Sequence, residues 1–296
     1  MRAVVTGGAG FIGSNLVDAL LARGDSVTVV DDLSSGKREN LAAGATLTVA
    51  DIRDGIDATG ADVIFHLAAQ ADVQTSVREP SRDAQVNVVG TIAILEAARH
   101  AGAQVIFSST GGAIYGECDG PATEQATLRP MSPYGVAKLC GEQYLTAWNR
   151  IHGTNNIVLR FGNVFGPRQE ATLEGGVASI FLERLAAGQA TAIFGDGQQT
   201  RDFIYVGDIV SALLAAVGAP GDIYNIGTGR ETTVLELHRA CATVVGTTAE
   251  PTFEPARLGD VQRSALDVTH AQAVLGWQAQ ASLEDGLRHT LAWFQG

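Results

Sequence analysis

The hexapeptide PYGVAK, residues 133–138, sets Tyr134 and Lys138 four positions apart. On a helix, that spacing puts a phenol and an ammonium on one face, a turn apart. A free phenol ionises near about pH 10. A neighbouring positive charge favours the phenolate and draws that value down. A base poised near neutrality is what removing a proton from an alcohol needs. An ordinary surface helix also carries such a pair, so its meaning depends on its surroundings. Ser132 is placed to cap this helix and Pro133 to open it. Ser108, Ser109 and Thr110 stand where the run AQVIFSS (103–109) ends. Hydroxyls at the carboxyl end of a strand reach the crevice where open α/β sheets bind ligands.

A second constellation lies at the start of the chain. TGGAGFIG (6–13) follows the run AVVT directly and opens a helical segment. Gly7 permits a tight turn, Gly10 lets backbone approach a pyrophosphate, and Gly13 allows close packing of helix on strand. The helix N-terminus offers unpaired N–H groups and a positive dipole end. Strand, glycine turn and helix in this order predict a dinucleotide site. The run SVTVVD (26–31) ends in Asp31, followed by Asp32. A carboxylate there binds ribose hydroxyls and repels a 2′-phosphate, so NAD is expected over NADP, with Lys37 and Arg38 a little downstream. Asp51-Ile52 ends another apolar run and reads either as a turn or as a contact to the adenine.

The elements that must position these groups alternate. AVVT (3–6), SVTVVD (26–31), ADVIFHLA (61–68), AQVIFSS (103–109) and NNIVLRFG (155–162) read as strands. FIGSNLVDALLARG (11–24), TIAILEAARHAG (91–102) and 132–152 read as helices. Strands apolar throughout fit a parallel sheet covered on both faces. The βαβα rhythm predicts right-handed crossovers and a doubly wound, Rossmann-like sheet. Beyond Phe165 the rhythm changes: a loop at 166–176, a helix near 177–188, a short strand at 191–194, then strand and helix within 201–216 and a strand and turn at 222–229. The expected division is an NAD-binding Rossmann domain (1–163 plus 201–227) and a smaller mixed α/β substrate domain (164–200 plus 228–296).

The totals restrict the classes. A formal net charge of −12 disfavours a nucleic-acid partner, which demands a basic face. Cys118, Cys140 and Cys241 are scattered, with no CxxC pair, so neither a disulfide framework nor a metal site is expected. MRAVVTGGAG lacks the apolar region of a signal peptide, and no run approaches the roughly 20 apolar residues of a membrane span. A cytoplasmic chain without a membrane partner is expected.

Together these motifs resemble the extended short-chain dehydrogenase/reductase family, NAD-dependent epimerases and dehydratases. Within it the chain looks most similar to the nucleotide-sugar 4-epimerases, of the bacterial UDP-glucose (UDP-galactose) type. The resemblance spans the chain: TGGAGFIG, VIFHLAAQADV, NVVGT, FSSTGGAIYG, SPYGVAK, LRFGNVFGPRQ, TRDFIYVGD, YNIGTGRETTV and PARLGDVQRS. It implies Tyr134 as the base, Lys138 as its electrostatic partner, and Thr110 or Ser109 as the hydroxyl near the sugar O4. An extra glycine in TGGAIYG leaves that last choice open. It implies an NAD shell of Gly7, Gly10, Phe11, Ile12, Gly13, Asp31, Asp32, Asp51, Ile52, Leu67, Ala68, Gln70, Asn87, Tyr134 and Lys138. It implies a UDP-sugar shell of Thr110, Asn163, Arg168, Val177, Arg201, Arg257, Asp260 and Ser264; guanidinium forks suit a diphosphate. The related 4,6-dehydratases carry an Asp-Glu pair after the threonine, where this chain has Gly111 and Gly112, so dehydration is not expected. Ser264 falls where the family gates sugar size, and a small residue leaves room for an N-acetyl group; UDP-glucuronate is a third candidate. A homodimer joined through helices near 81–101 and 132–152 is also implied. The rivals are an NAD-binding sensor without turnover and a net dehydrogenase.

Overall fold

Runs of Val, Ile and Phe with no polar face cannot leave either side in water. The computed structural model, which describes residues 1–170, 176–256 and 261–296, pairs them side by side. The strands are β1 (Arg2–Thr6), β2 (Ser26–Asp31), β3 (Thr46–Val49), β4 (Val63–His66), β5 (Gln104–Thr110) and β6 (Ile157–Phe161). Shorter ones follow: β7 (Asn163–Phe165), β8 (Ala192–Phe194), β9 (Thr200–Arg201), β10 (Phe203–Tyr205), β11 (Ile223–Ile226), β12 (Thr232–Thr233) and β13 (Thr252–Glu254). Seven make one sheet in the order β11-β6-β5-β4-β1-β2-β3. Every pairing in it is parallel. This is the doubly wound sheet expected. Its order reverses between β1 and β4, the switch point where such sheets bind ligands.

The helices are α1 (Phe11–Ala22), α2 (Val73–Arg78), α3 (Pro80–Ala84), α4 (Gly90–Ala101), α5 (Gly111–Ile114) and α6 (Pro133–His152). They continue as α7 (Val177–Ala186), α8 (Val206–Ala215), α9 (Val234–Val245), α10 (Thr269–Leu275) and α11 (Leu283–Gln295). Leu16, Val17 and Leu20 of α1 and Ile209 and Leu213 of α8 cover one face of the sheet. Ile94, Leu95 and Ala98 of α4 and Leu145 of α6 cover the other. A separate core gathers Phe181, Leu182, Leu237, Cys241, Leu287 and Leu291 from α7, α9 and α11. Ala271 of α10 and Trp277 return to the sheet's own core, so the last third of the chain does not stay in one layer.

One stretch carries no element in the run-by-run reading of the sequence. Residues 73–89 form α2, α3 and a π turn at Gln85–Val89 that runs straight into α4. Short polar helices of five or six residues carry too few apolar positions for a period to show.

α6 lies close to β5 because Gly141 faces the ring of Phe107. A Cβ at Gly141 would sit 2.8 Å from Phe107 Cζ. Overpacking of this kind costs typically about 1–3 kcal/mol. Gly141→Val is expected to lower stability by that amount in urea denaturation, because α6 must lift from β5. An unchanged midpoint would contradict the close packing.

Candidate active site

The turn after β1 is shaped by glycines. Gly7 has φ +69, and a Cβ there would lie 2.6 Å from Ala68 N and 2.8 Å from the Leu67 carbonyl carbon. Gly7, Leu67 and Ala68 therefore meet at the switch point. A Cβ on Gly13 would strike Gly7 O and Gly8 Cα, so only glycine lets α1 close on the turn. At Gly10 the one near atom is Gly7 O, at 3.3 Å, which leaves its outer side open. Asp31, buried at the end of β2, accepts hydrogen bonds from Ala9 N and Leu33 N, both at 2.9 Å. A Cβ on Gly36 would contact the same carboxylate. Bare backbone around an open turn, with a carboxylate held beside it, fits a dinucleotide's pyrophosphate and ribose. Phe11 and Ile12 begin α1 at this turn, both half-buried. Asp32 is exposed, and its Oδ1 accepts from the backbone N–H and the hydroxyl of Ser34.

Two residues of the expected cofactor shell are otherwise engaged. Asp51 caps a short 3-10 turn and takes the guanidinium of Arg53, with Nη2 to Oδ2 at 2.5 Å, which holds its carboxyl below the usual range. Ile52 turns inward: its Cδ1 would lie 2.6 Å from a Cβ on Gly90, so it packs under α4.

Helix α6 starts as its sequence predicts. Ser132 Oγ accepts from Gly135 N at 3.1 Å, and Pro133 is the first helical residue. Gly135 lies against Ala113 O of α5, bringing Tyr134 to the end of β5. Lys138 is 3% exposed; its Nζ donates to Ser108 O at 2.9 Å and sits 4.8 Å from the Phe107 ring centroid. The Tyr134 ring centroid is 6.0 Å from the same Nζ. Burial pulls Lys138 down to about 8, against the opposing charges of Asp83 and Glu142.

The expected downward pull on Tyr134 is reversed. Burial, with the Asp83 carboxylate next, pushes its phenol well above the ordinary tyrosine value. The side chain is half-buried. Lys138 alone does not offset that desolvation, so a phenolate here needs further positive charge.

Ser109 also departs from its candidate role. Its hydroxyl donates to Glu142 Oε1 at 2.5 Å, beneath the site. Glu142 in turn takes a two-pronged grip from Arg160, Nε to Oε1 at 3.0 Å and Nη2 to Oε2 at 2.6 Å, all fully buried. Arg160 Nη1 donates to Tyr115 Oη, which donates to Asn225 Oδ1. Thr110 remains, half-buried at the strand end. A Cβ on Gly112 would lie 3.5 Å from Asn163 Oδ1 and 4.0 Å from Thr110 Oγ1, so these three share one space. Asn163 Oδ1 is buried and finds no hydrogen-bond partner among the described residues. Gly111 faces Leu266, two residues after the half-buried Ser264.

The arginines separate. Arg168, at φ +70, sends Nη2 to Asp18 of α1 at 2.6 Å, while its Nη1 is buried without a hydrogen-bond partner among the described residues. Arg201 Nη1 donates to Thr200 O and Val261 O. Val177 opens α7. Arg257 and Asp260 lie outside the described residues. Among those described, no cluster of His, Cys, Asp and Glu is placed to hold a metal.

The Glu142–Arg160 pair and Asp83 are absent from the sequence reading. The first had a signal: Glu142 repeats the four-residue step from Tyr134 to Lys138, and Arg160 interrupts an apolar strand. Asp83 had none.

A doubly wound sheet with a glycine cradle at its switch point, and a Tyr-Lys pair on the neighbouring helix, defines the class. Residues 3–227 match the model of the NAD dependent epimerase/dehydratase family, and the chain belongs to that family. The chain is 47% identical to the UDP-glucose 4-epimerase of Mycolicibacterium smegmatis, covering 100% of this chain and 99% of that one. A crystal structure of UDP-glucose 4-epimerase from Thermotoga maritima with UDP-glucose is similar at a TM-score of 0.97 and 46% identity, over 100% of this chain and 99% of that one. The NAD complex of UDP-glucose 4-epimerase from Thermus thermophilus is similar at 0.92 and 39% identity, over 100% and 99%.

The chain has two lysines, Lys37 and Lys138. Carbon-13 labelling at lysine Cε therefore gives two resonances, which Lys37→Arg assigns. Lys138 is expected to titrate at about 8, below the ordinary 10.5. Its folded value lies below its unfolded one, so the penalty of burying the charge is present in full below about 8 and fades as pH rises toward 10.5. Titration of both lysines together would contradict the burial.

Proposed function

We propose that this chain is a UDP-glucose 4-epimerase that interconverts UDP-glucose and UDP-galactose with NAD as a resident cofactor. One observation carries the reading. Lys138 Nζ bonds the Ser108 carbonyl and Gly135 lies against Ala113 O. These contacts hold Tyr134 and Lys138 of α6 against the end of β5, where Thr110 is followed by Gly111 and Gly112. Two glycines transfer no proton, which leaves oxidation and reduction at C4 without elimination.

Tyr134 removes the proton from the sugar 4-OH, with Thr110 hydrogen-bonding O4. Lys138 holds its ammonium beside the phenolate through its bond to the Ser108 carbonyl. NAD, when bound by the Gly7–Gly13 turn, Asp31, Leu67, Ala68, Gln70 and Asn87, supplies the chemistry of taking a hydride from C4 and giving it back. Tyr134 then returns the proton to O4 on the inverted sugar. Net redox change is zero. Arg168 and Val177, with Arg257 and Asp260, hold the UDP moiety from segments 164–200 and 228–296, together with Asn163 and Arg201 at the edges of the Rossmann segments. A second reading, UDP-GlcNAc 4-epimerisation, is favoured by Ser264, whose small side chain leaves room beside C2. A sensor without turnover has no use for the Tyr134–Lys138 pair. Three unpaired cysteines suit the cytoplasm, and among the described residues no helix is long and apolar enough to cross a membrane.

Purified protein given UDP-galactose, UDP-GalNAc or UDP-galacturonate without added reductant is expected to convert UDP-galactose. Tyr134→Phe removes the base, worth about 10²- to 10⁴-fold in turnover. A variant with near-normal turnover would contradict the assignment.

The helices near 81–101 and 132–152 are also the proposed dimer interface. Val136 and Ile151 of α6 and Val89 beside α4 are large apolar side chains at 53%, 70% and 51% exposure. Light scattering behind a sizing column is expected to give twice the chain mass, and Val136→Glu to give the monomer. A wild-type monomer at micromolar concentration would contradict the interface.

A further inference from the structure

A buried ammonium needs a negative charge near it, and Lys138 has no carboxylate within its hydrogen bonds. Its donor contact is a carbonyl, Ser108 O. Glu142 is spoken for by Arg160 and Ser109. His66 is neutral: burial first, then the charge of Lys138, pulls it down to about 3. Its bonds agree. Thr91 donates to Asn87 O, so Thr91 Oγ1 accepts from His66 Nε2–H, and Nδ1 accepts from Thr6.

That leaves Asp83, on α3, which packs directly on α6. It is 1% exposed. Its Oδ1 accepts from Gln70 Nε2 at 3.0 Å and from Asn87 Nδ2 at 2.9 Å. Its Oδ2 is buried and has no hydrogen-bond partner among the described residues. The elements packed on α3 are α2, the π turn and α6. From α2 come Arg78 and the capping Asp72, which face each other at 4.0 Å. The π turn brings no charge. On α3 itself, Arg82 pairs with Glu79 at the surface. From α6 come Tyr134, Lys138 and the engaged Glu142. Among these the charge not already paired is Lys138, and the charges of Asp83 and Lys138 act on each other across the α3–α6 contact.

We propose that Asp83 is a positioning residue: it supplies the buried negative charge that keeps Lys138 an ammonium beside Tyr134. Gln70 and Asn87 fix one oxygen of the carboxylate and leave the other free. Both belong to the expected cofactor shell, so Asp83 also ties the nicotinamide side of the crevice to the base. The role in turnover rests on the epimerase reading; the charge relation does not. Electrostatics in the folded chain agree, since Asp83 is first among the groups that raise Lys138.

The test is the titration of ¹³Cε-lysine protein in the wild type and in Asp83→Asn, an isosteric change. The expected result is a Lys138 midpoint at least one pH unit lower in the variant, a tenfold loss of proton affinity, with Lys37 unmoved. On UDP-galactose, kcat should then fall more steeply with rising pH than in the wild type, while KM changes little. Asp83→Glu should restore the wild-type midpoint. A Lys138 midpoint identical in Asp83→Asn would overturn the proposal, whatever the turnover. Should Asp83→Asn not fold, the wild type decides. Burial raises the Asp83 carboxyl above its ordinary value, so Lys138 Cε must show a second step in the acid range as Asp83 takes its proton. A resonance flat through that range would equally overturn it.

Discussion

A lysine ammonium held out of water is the constraint on which this site depends. Lys138 cannot retreat to solvent: α6 lies flat on β5, and Gly141 lets it approach the ring of Phe107. Desolvation works against the charge, while the Ser108 carbonyl, the Phe107 ring and the surrounding carboxylates work for it. The same packing raises the tyrosine above it. Phenol and ammonium are thus moved in opposite senses by one cause, and the gap between them widens. Such packing keeps the phenol protonated until more positive charge arrives, which suits the proposed reaction, whose cofactor carries that charge in its oxidised form.

The rest of the fold serves that arrangement. Parallel strands bring the ends of β1, β4 and β5 to one edge, where the glycine turn, the crevice and Thr110 meet. Beneath them the Glu142–Arg160 pair joins α6 to β6, and through Tyr115 and Asn225 reaches β11. Breaking a fully buried pair of this kind typically costs about 3–5 kcal/mol. It is better understood as a bolt between layers than as part of the chemistry. On the other side, Asp202 gathers Thr228, Gly229 and Leu266 onto one carboxylate, and Leu266 then fills the space over Gly111. Gly111 is therefore required by packing, whereas a Cβ on Gly112 would meet only ordinary contacts.

Much of this could be read from the chain before any coordinates. Strands apolar at every position announced the covered parallel sheet, and Ser132-Pro133 announced where α6 begins. The glycine spacing placed the cradle. What could not be read has common physical causes. Whether Ser109 or Thr110 faces the crevice depends on strand rotation, which a run of hydroxyls does not reveal; in the fold Ser109 donates to Glu142. The direction of the Tyr134 shift depends on how deeply the ring is packed, and spacing reports only who its neighbour is. Asp83 sits in short polar helices with no periodic signature, so its burial appears only once α3 is laid on α6. Arg168 looked like a phosphate ligand by motif, and half of its guanidinium is given to Asp18.

The central claim is that C4 is oxidised and reduced again on the same molecule. UDP-glucose carrying deuterium at C4, incubated with the purified protein and no reductant, tests it directly. The account predicts UDP-galactose that keeps its deuterium, with no label passing to water. Loss of the label to solvent, or a product from which it has vanished, would contradict it.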